Sequence, residues 1–457
     1  MAAHAGLLER EERLSGHRPE GQGVRLRLIF RPVRGSGGAG MEQGKTRRVI
    51  AAGAIGNVLE WYDFAVYGYF AAAIGRAFFP SEDAVAQVLA AFGIFAVGFL
   101  MRPIGGAVIG AIGDRLGRRA ALTFSVAAMA IPTFLVGVLP DYQTLGIAAP
   151  ILLTLLRMIQ GLSVGGEYTT SIIFIIEQSP PDRRAFVGAL GCCGAVGGIL
   201  LGSATGALLA SVMSEQALES WGWRLPFLLG LVVGIAGVVL RRHVHESPRK
   251  ASAKSPLVDT IRNHGPLLVK LAALSVFNSV GFYLMFVYIV SWLQFADGIA
   301  PATALAINST SMFVMLPVMV LMGWLSDRYG RRPVMLGAAA LGFVGALPFF
   351  WLMHQGQPAL VLLGQFGFVL SVGAFIGGQP ALMVEAVPAE IRCTAIALGY
   401  NVTLGVLGGF SPLVATWLVH RTENDYSPAF MIMAAAAISF AAILKFEETY
   451  RLKLQTA

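Results

Sequence analysis

The sequence predicts an all-α membrane protein with twelve transmembrane helices, arranged as two six-helix bundles that repeat one another. Three observations lead to this fold class. The 457 residues are 56% hydrophobic and only 13% charged, whereas soluble domains carry about 25% charged residues. Apolar runs of about 20 residues match a membrane-crossing helix and lack the alternation of barrel strands. Two short motifs also recur, in the same order, in each half of the chain.

The apolar runs predict the order of the elements along the chain. A first bundle is predicted at 46–241 and a second at 266–449, joined by a polar cytoplasmic linker at 242–265. Residues 450–457 are predicted to form a short cytoplasmic tail. Residues 1–45 are rich in Arg and Gly and cannot bury a core, so a disordered basic tail is expected. The predicted helices are 49–78, 86–111, 121–139, 145–176, 185–212, 223–241, 266–294, 302–325, 334–353, 358–384, 393–419 and 427–446.

The positions of Lys and Arg predict which helix ends face the cytoplasm. If the N-terminus is cytoplasmic, the cytoplasmic segments from residue 41 onward hold 21 Lys and Arg residues, and the opposite side holds three. Basic loops mark the cytoplasmic side of a membrane protein. Both termini are therefore predicted to be cytoplasmic, in a bacterial inner membrane. The same asymmetry accounts for the net charge of +8 without a nucleic-acid partner.

Two motifs occur twice, at matching places in the two halves. GDRLGRR at 113–119 and SDRYGRR at 326–332 each follow the second helix of a half. Residues 177–184 and 385–392 share the pattern E-x-x-P-x-x-x-R after the fourth helix. Parallel repeats of this kind are a transporter architecture, in which the substrate site lies between the repeats near the middle of the bilayer.

The charged residues of these motifs predict a gate at the cytoplasmic side. Arg can bond the carboxylates of neighbouring loops, and Gly permits a tight turn with positive φ. We expect the network to hold the halves together and to break when they rock. Anchoring by positive charge alone is the alternative, but it explains neither the Asp, the Gly nor the repeat. The predicted gate residues are Asp114, Arg115, Gly117, Arg118, Arg119, Glu177, Arg184, Asp327, Arg328, Gly330, Arg331, Arg332, Glu385 and Arg392.

Longer stretches resemble a known family. The resemblance covers about residues 45–450 and is strongest in the first half. The sequence is similar to the metabolite:proton symporter family of the major facilitator superfamily, which contains carriers for citrate, 2-oxoglutarate, shikimate and proline or betaine. It implies the major facilitator fold, and VGGEYT resembles the proline/betaine branch somewhat more than the citrate branch. The stretches are GNVLEWYDFAVYGYFAAAIGRAFFP (56–80), GFLMRPIGGAVIGAIGDRLGRR (98–119), RMIQGLSVGGEYTTSIIFIIEQSPPDRR (157–184) and WGWRLPF (221–227).

Acidic side chains inside the predicted helices are the candidates for a proton site. Ionisable groups at membrane depth are costly and rare, so each is a functional candidate. Glu60 lies roughly 18 Å along helix 1 from its basic start, near the middle of the bilayer. A carboxylate among cations in a low dielectric can change between its charged and neutral forms. We predict that Glu60 and Asp63 carry the proton. Glu167 in helix 4 is suited equally to a proton site and to a gate partner.

Basic and polar side chains inside the helices are the candidates for substrate binding. Arg102 and Arg157 are suited to hold a carboxylate through two parallel hydrogen bonds. A structural ion pair of either Arg with Glu60 or Asp63 is the alternative. The second half is nearly free of charge inside the membrane and offers neutral hydrogen-bonding groups. The predicted substrate-binding residues are Asn57, Tyr67, Arg102, Arg157, Gln160, Asn278, Tyr283, Gln379 and Asn401.

Together these features predict a secondary transporter that imports a small organic acid, of the di- or tricarboxylate type, with protons by alternating access. The alternatives are proton-coupled uptake of a proline/betaine-type osmolyte and a non-transporting sensor built on a transporter scaffold. An enzyme is disfavoured, because no Ser/His/Asp or metal-ligand constellation occurs. No Gly-rich turn precedes Lys-Ser/Thr, so ATP is not implied. We expect no cofactor and no metal, a small-molecule substrate, protons and the lipid bilayer as partners, and a functional monomer.

Overall fold

The described part of the chain is almost entirely helical. No strand occurs among the described residues, which belong to one compact unit, Val49–Ala457. The predicted tail at 1–45, most of the linker and the predicted site residues Asn57, Asp114, Arg115 and Gly117 lie outside the described residues. The computed structural model describes residues 58, 60–105, 108, 118–163, 167–241, 256–452 and 454.

Six long helices form the first half. Helix α2 packs on α1 and α4, and α3 packs on α4 and α6. A Cβ atom at Gly161 would lie 1.9 Å from the carbonyl oxygen of Gly98, so the close crossing of α2 and α4 requires glycine there. This crossing sets the positions of Arg102 and Arg157, which these two helices carry. The helices are α1 (60–69, continued after a turn as Ala71–Phe78), α2 (Ala84–Gly105), α3 (Arg118–Val138), α4 (Ala148–Ser163 and Glu167–Glu177), α5 (Arg184–Val212) and α6 (Leu225–Arg241).

Six further helices form the second half. Helix α7 packs on α11 and α12, while α10 packs on α8 and α9. Helices α7 and α11 each contain a π-helical turn, at Leu284–Tyr288 and Leu404–Gly408. Such turns are frequent at functional sites. The helices are α7 (Gly265–Asp297), α8 (Pro301–Tyr329), α9 (Arg331–Met353), α10 (Pro358–Ala386), α11 (Arg392–Thr422) and α12 (Ser427–Leu444).

The two halves meet along equivalent helices. Helix α5 packs on α8, and α11 packs on α2. These contacts correspond under the sequence repeat, because α2 and α8 are the second helices of their halves and α5 and α11 the fifth. A Cβ atom at Gly409 would lie 2.5 Å from the Cβ atom of Phe99. The α2–α11 contact is therefore close enough to need a glycine.

The outer faces of the helices suit a lipid environment. Val212, Phe313 and Val344 are 70%, 66% and 72% exposed, which would be unfavourable in water but not against hydrocarbon. Eight of the described helices are long and apolar enough to cross a membrane, and three shorter apolar helices accompany them.

Short helices between the long ones were not predicted. They are polar or only a few residues long, so a search for apolar runs passes over them. Asp141 and Ser214 begin two of them by accepting backbone N–H groups with their side chains, as N-cap residues do. The third lies in the predicted polar linker. These helices are Tyr142–Leu145, Glu215–Ser220 and Pro256–Asn263.

Candidate transport site

Two small adjoining cavities lie between the halves. Their linings share Tyr168 on α4, Cys192 on α5, Asn278 on α7 and Ile376 on α10. The remaining lining residues come from α1, α4 and α5 in the first half and from α7, α10 and α11 in the second. The cavity volumes are about 10 Å³ and 30 Å³, which leaves room for little more than a water molecule in each. The halves are therefore closely apposed around the centre of the molecule.

Helix α1 presents Asp63 to an arginine of α4. Arg157 Nη1 donates to Asp63 Oδ2 at 2.6 Å, and neither side chain is exposed. Gln160 Nε2 lies 2.9 Å from both Asp63 Oδ1 and Thr133 Oγ1, and the Tyr67 ring centre lies 3.9 Å from the Arg157 guanidinium carbon. Both oxygens of Asp63 accept a hydrogen bond. We call these five residues the Asp63 cluster; none of them lines either cavity.

One turn earlier, α1 presents Glu60 to Arg102 of α2. Arg102 Nη1 lies 3.8 Å from Glu60 Oε1, an ion pair too long for a hydrogen bond. The guanidinium carbon lies 4.1 Å from the ring centre of Phe99 and 5.3 Å from that of Trp61, and Trp61 lines the larger cavity. Among the described residues, Arg102 Nε and Nη2 have no hydrogen-bond partner, although the side chain is 2% exposed. Arg102 is thus a buried cation with unused donors beside the cavity.

Some of the predicted substrate-binding residues line the cavities, and others belong to the Asp63 cluster. Asn278 lines both cavities, Tyr283 the larger and Gln379 the smaller. Asn401 is partly exposed and lines neither, while Tyr67, Arg157 and Gln160 belong to the Asp63 cluster. The backbone of Glu167 begins the second segment of α4, and its side chain is outside the described part. Their roles in proton and substrate binding stay predictions.

Sequence reasoning passed over several lining residues. Among them are Trp61, Tyr168 and Cys192, which look like ordinary packing residues of apolar helices. A usable signal was present for the two aromatic residues, because each directly follows a residue that had been singled out. Trp61 follows Glu60, and Tyr168 follows Glu167. Tyr400, one of the neutral hydrogen-bonding groups of the second half, lines the smaller cavity.

At one end of the molecule, the second heptad lies on the seam between the halves. Asp327 of α8 accepts the backbone N–H groups of Ala185 and Phe186 at 3.0 Å and 2.8 Å. These groups begin α5, where the helix dipole favours an anion. Arg331 Nη1 donates to Asp327 Oδ1 at 2.6 Å. Gly330, between α8 and α9, has a φ of +110°, which agrees with the predicted turn.

Ion pairs at this end join the two copies of the E-x-x-P-x-x-x-R motif. Arg184 of α5 lies 3.4 Å from Glu385 of α10. Arg392 of α11 lies 2.5 Å from Glu177 of α4. Arg331 also donates to Glu385, at 2.9 Å and 3.0 Å. We call this set, together with Asp327, the ion network. Helix α3 begins at Arg118 and Arg119, whose side chains are outside the described part.

Residues after α12 add to the ion network. Glu448 accepts the backbone N–H groups of Arg331 and Arg332 at 2.8 Å and 3.0 Å, which satisfies the start of α9. Arg184 donates to the carbonyl oxygen of Leu452 at 2.7 Å. By contrast, Arg328 is exposed and has no ion pair among the described residues. The network thus includes contacts that the motifs did not predict, and its role as a gate stays a prediction.

At the opposite end, neutral groups join the halves. The Tyr69 hydroxyl donates to the carbonyl oxygen of Phe286, in the π-helical turn of α7, at 2.8 Å. Asn308 Nδ2 donates to the Tyr69 hydroxyl at 3.0 Å and to Ser203 Oγ at 3.2 Å. Ser309 donates to Ser203 at 2.8 Å. We call these residues the neutral clamp. The halves are thus joined by the ion network at one end and by the neutral clamp at the other.

The family model described as Major Facilitator Superfamily matches residues 53–410 and 298–456 of this chain. The chain belongs to this superfamily. A glycine betaine/proline/ectoine/pipecolic acid transporter, OusA of Dickeya dadantii, is 36% identical over 434 residues, which are 91% of this chain and 86% of that protein. The proline/betaine transporter of Escherichia coli K12 is 35% identical over the same shares.

Solved structures of this superfamily have the same fold. The crystal structure of a D-xylose–proton symporter aligns with a TM-score of 0.72 at 20% identity, covering 90% of this chain and 100% of that one. A partially occluded inward-open conformation of the E. coli xylose transporter XylE aligns with a TM-score of 0.69 at 18% identity over the same shares. The predicted family and twelve-helix fold are confirmed. The chain is a multi-span membrane transporter and not an enzyme.

Proposed function

We propose that this transporter takes up a small zwitterionic osmolyte, of the proline or betaine type, together with protons. Relatives that are 36% and 35% identical are named as transporters of such compounds. They support the osmolyte alternative over the di- or tricarboxylate predicted first. We further propose that it acts as a monomer in a bacterial inner membrane with both termini inside. The ion network then faces the cytoplasm and the neutral clamp faces outward.

The unpaired N–H groups of buried Arg102 are the observation that supports a zwitterionic substrate most strongly. Its unused N–H donors offer a site for one carboxylate beside the cavity. Arg157 Nε and Nη2 also lack a partner among the described residues, but Arg157 is bonded to Asp63 at 2.6 Å and packs on Tyr67, which lines neither cavity. No residue in the described linings is charged. A di- or tricarboxylate would therefore bring two or three negative charges to Arg102, which is unfavourable in a low dielectric. A zwitterion adds no net charge.

Glu60 is the proton site in this proposal. A substrate carboxylate bound to Arg102 competes with Glu60, 3.8 Å away, for the same cation. When Glu60 loses part of that attraction, its charged form becomes less favourable and a proton binds. Substrate and proton are therefore taken up together. Asp63 fits this step less well, because the Asp63 cluster lines neither cavity and Asp63 is bonded to Arg157 rather than to Arg102.

Uptake by proteoliposomes tests the substrate class. Purified protein would be reconstituted, an acidic exterior imposed, and labelled glycine betaine, proline, citrate and 2-oxoglutarate supplied in turn. We expect accumulation of glycine betaine or proline that a protonophore abolishes. Accumulation of citrate or 2-oxoglutarate alone would reinstate the organic-acid prediction. No transport of any of the four would contradict the proposal and favour the sensor alternative.

A further inference from the structure

Five aromatic side chains line the cavities, and one of them is Phe282 of α7. The other four, two from each half, form a series of ring contacts. Trp61 and Tyr168 belong to α1 and α4, and Tyr283 and Tyr400 belong to α7 and α11. The ring centres of Trp61 and Tyr168 are 5.9 Å apart, and those of Trp61 and Tyr283 6.5 Å. Those of Tyr168 and Tyr400 are 5.8 Å apart. We call these four residues the aromatic cage, and two of these three contacts cross between the halves.

The aromatic cage also holds polar groups that lack partners. Trp61 Nε1 and the Tyr283 hydroxyl have no hydrogen-bond partner among the described residues, although Trp61 is 5% exposed and Tyr283 1%. Buried donors that stay unpaired are costly, so they point to a ligand with acceptor oxygens. Trp61 lies against Arg102, whose unused donors point to the same ligand chemistry.

We infer that the aromatic cage binds the alkylated ammonium group of a zwitterion while Arg102 binds its carboxylate. The inference rests on the proposed function and names the residues that select the substrate. An aromatic face attracts a cation within about 6 Å of its centre. Because the positive end of the substrate is repelled by Arg102, it must lie on the far side of Trp61, towards Tyr168, Tyr283 and Tyr400.

Because the rings come from both halves, binding of the ammonium group is linked to the approach of the two halves. Since each half supplies two rings, the cage is complete only when the halves approach. A bound cation then gives both halves a shared contact, so the substrate favours occlusion. The cavities of about 10 Å³ and 30 Å³ are too small for an ammonium with its substituents. The halves must therefore move apart to admit the substrate and close again around it.

A neutral isostere tests the inference. In 3,3-dimethylbutanoate a carbon replaces the nitrogen of glycine betaine, so the shape is kept and the positive charge lost. Each compound would compete with labelled glycine betaine for uptake by proteoliposomes. The wild type should prefer glycine betaine by at least about tenfold. In Tyr168→Leu and Tyr400→Leu the preference should fall by roughly three- to tenfold, because one aromatic face is lost.

Matched variants separate the aromatic faces from general packing. Tyr168→Phe and Tyr400→Phe keep the ring and should keep the preference. Phe350→Leu removes a ring that packs on Trp292, 5.3 Å away and outside both linings, and should also keep it.

The possible results decide between the two proposals. Equal inhibition of the wild type by both compounds would overturn the inference, even if the variants fold poorly. Normal glycine betaine uptake with an unchanged preference in folded Tyr168→Leu and Tyr400→Leu would overturn the aromatic cage but leave the proposed function standing. No uptake of glycine betaine or proline by the wild type would overturn the proposed function and the cage with it.

Discussion

The two halves of the transporter share a fold but use charge differently in their interiors. The first half buries the Asp63–Arg157 pair at 2.6 Å and the Glu60–Arg102 pair at 3.8 Å. The second half lines the same cavities with uncharged groups such as Asn278. At the end that holds the ion network, the second half contributes most of the charge, through Asp327, Arg331, Glu385 and Arg392.

The two copies of the repeat therefore share one fold but differ in where they place charged side chains. A buried charge is tolerated only when it is paired, so each charge near the seam must be balanced in every position of the halves. Among the described residues near the cavities, the charged side chains belong to the first half, and the second half faces the cavities with uncharged side chains. We call this face of the second half, which includes Asn278 and Gln379, the neutral wall. Among the described residues, the ion pairs that join the two halves all belong to the ion network.

The largest effect is expected from Arg157→Gln, which removes one of the buried charges of the first half. The variant leaves Asp63 buried without its cation, which costs about 3–5 kcal/mol of stability, and transport should be lost. Thermal unfolding in detergent and uptake by proteoliposomes measure the two effects. The double variant Asp63→Asn with Arg157→Gln should regain much of the stability but not the transport. Normal stability and accumulation in Arg157→Gln would contradict the view that the first half depends on its buried charge pairs.

The second-largest effect is expected from Glu60→Gln, which changes the Glu60–Arg102 pair and leaves the Asp63–Arg157 pair intact. Without a group that gains and loses the proton, uptake should stop at equal concentrations inside and outside. Exchange of labelled for unlabelled substrate should continue, because Arg102 still binds the carboxylate. Counterflow and gradient-driven uptake in the same liposomes provide the measurement. Gradient-driven accumulation at the wild-type level would assign the proton to another residue.

A smaller effect is expected from Arg331→Gln in the ion network, with Arg328→Gln as the matched control from the same heptad. The first variant leaves Asp327 and Glu385 without Arg331, and charge-assisted hydrogen bonds are worth about 1.5–3 kcal/mol each. The end that holds the ion network should open more often. In a Cys193→Ser and Cys393→Ser background, Cys192 should react roughly tenfold faster with a thiol reagent supplied from that side. Equal rates in both variants would deny the network a gating role.

The smallest effect is expected from Gln379→Leu on the neutral wall. Gln379 lines the smaller cavity, and its Nε2 donates to Ser275 Oγ at 3.1 Å. Gln379 is a predicted substrate-binding residue, and losing one neutral hydrogen bond to the substrate costs about 1 kcal/mol, so KM should rise by about fivefold while the pH gradient still drives accumulation. Initial rates over a range of substrate concentrations measure this. Loss of accumulation would place coupling chemistry in both halves.

The fold was predictable because its signals are local. Apolar length, the Lys and Arg asymmetry and two repeated motifs identified twelve helices and two halves without any knowledge of packing. The partners of the buried acids were not predictable, because Glu60 and Asp63 lie one turn apart and face the same way. Which arginine meets which acid is decided by the crossing of α2 and α4 at Gly161, a long-range contact. The same limit hid the aromatic cage, whose rings come from four helices.

The π-helical turn at Leu284–Tyr288 makes α7 tolerant of a change in length at this one place. A π turn holds one residue more than the α turn it replaces. Deleting one of the five would therefore restore a regular helix and leave the residues beyond it facing nearly the same way. Trp292, whose Nε1 donates to the carbonyl oxygen of Asp425 at 3.0 Å, would keep its neighbour. Deleting a residue from a regular α-helical segment would instead rotate everything beyond it by about 100°. The loss of a single codon is thus absorbed within the turn, whereas the same loss in a regular helix changes every contact that follows.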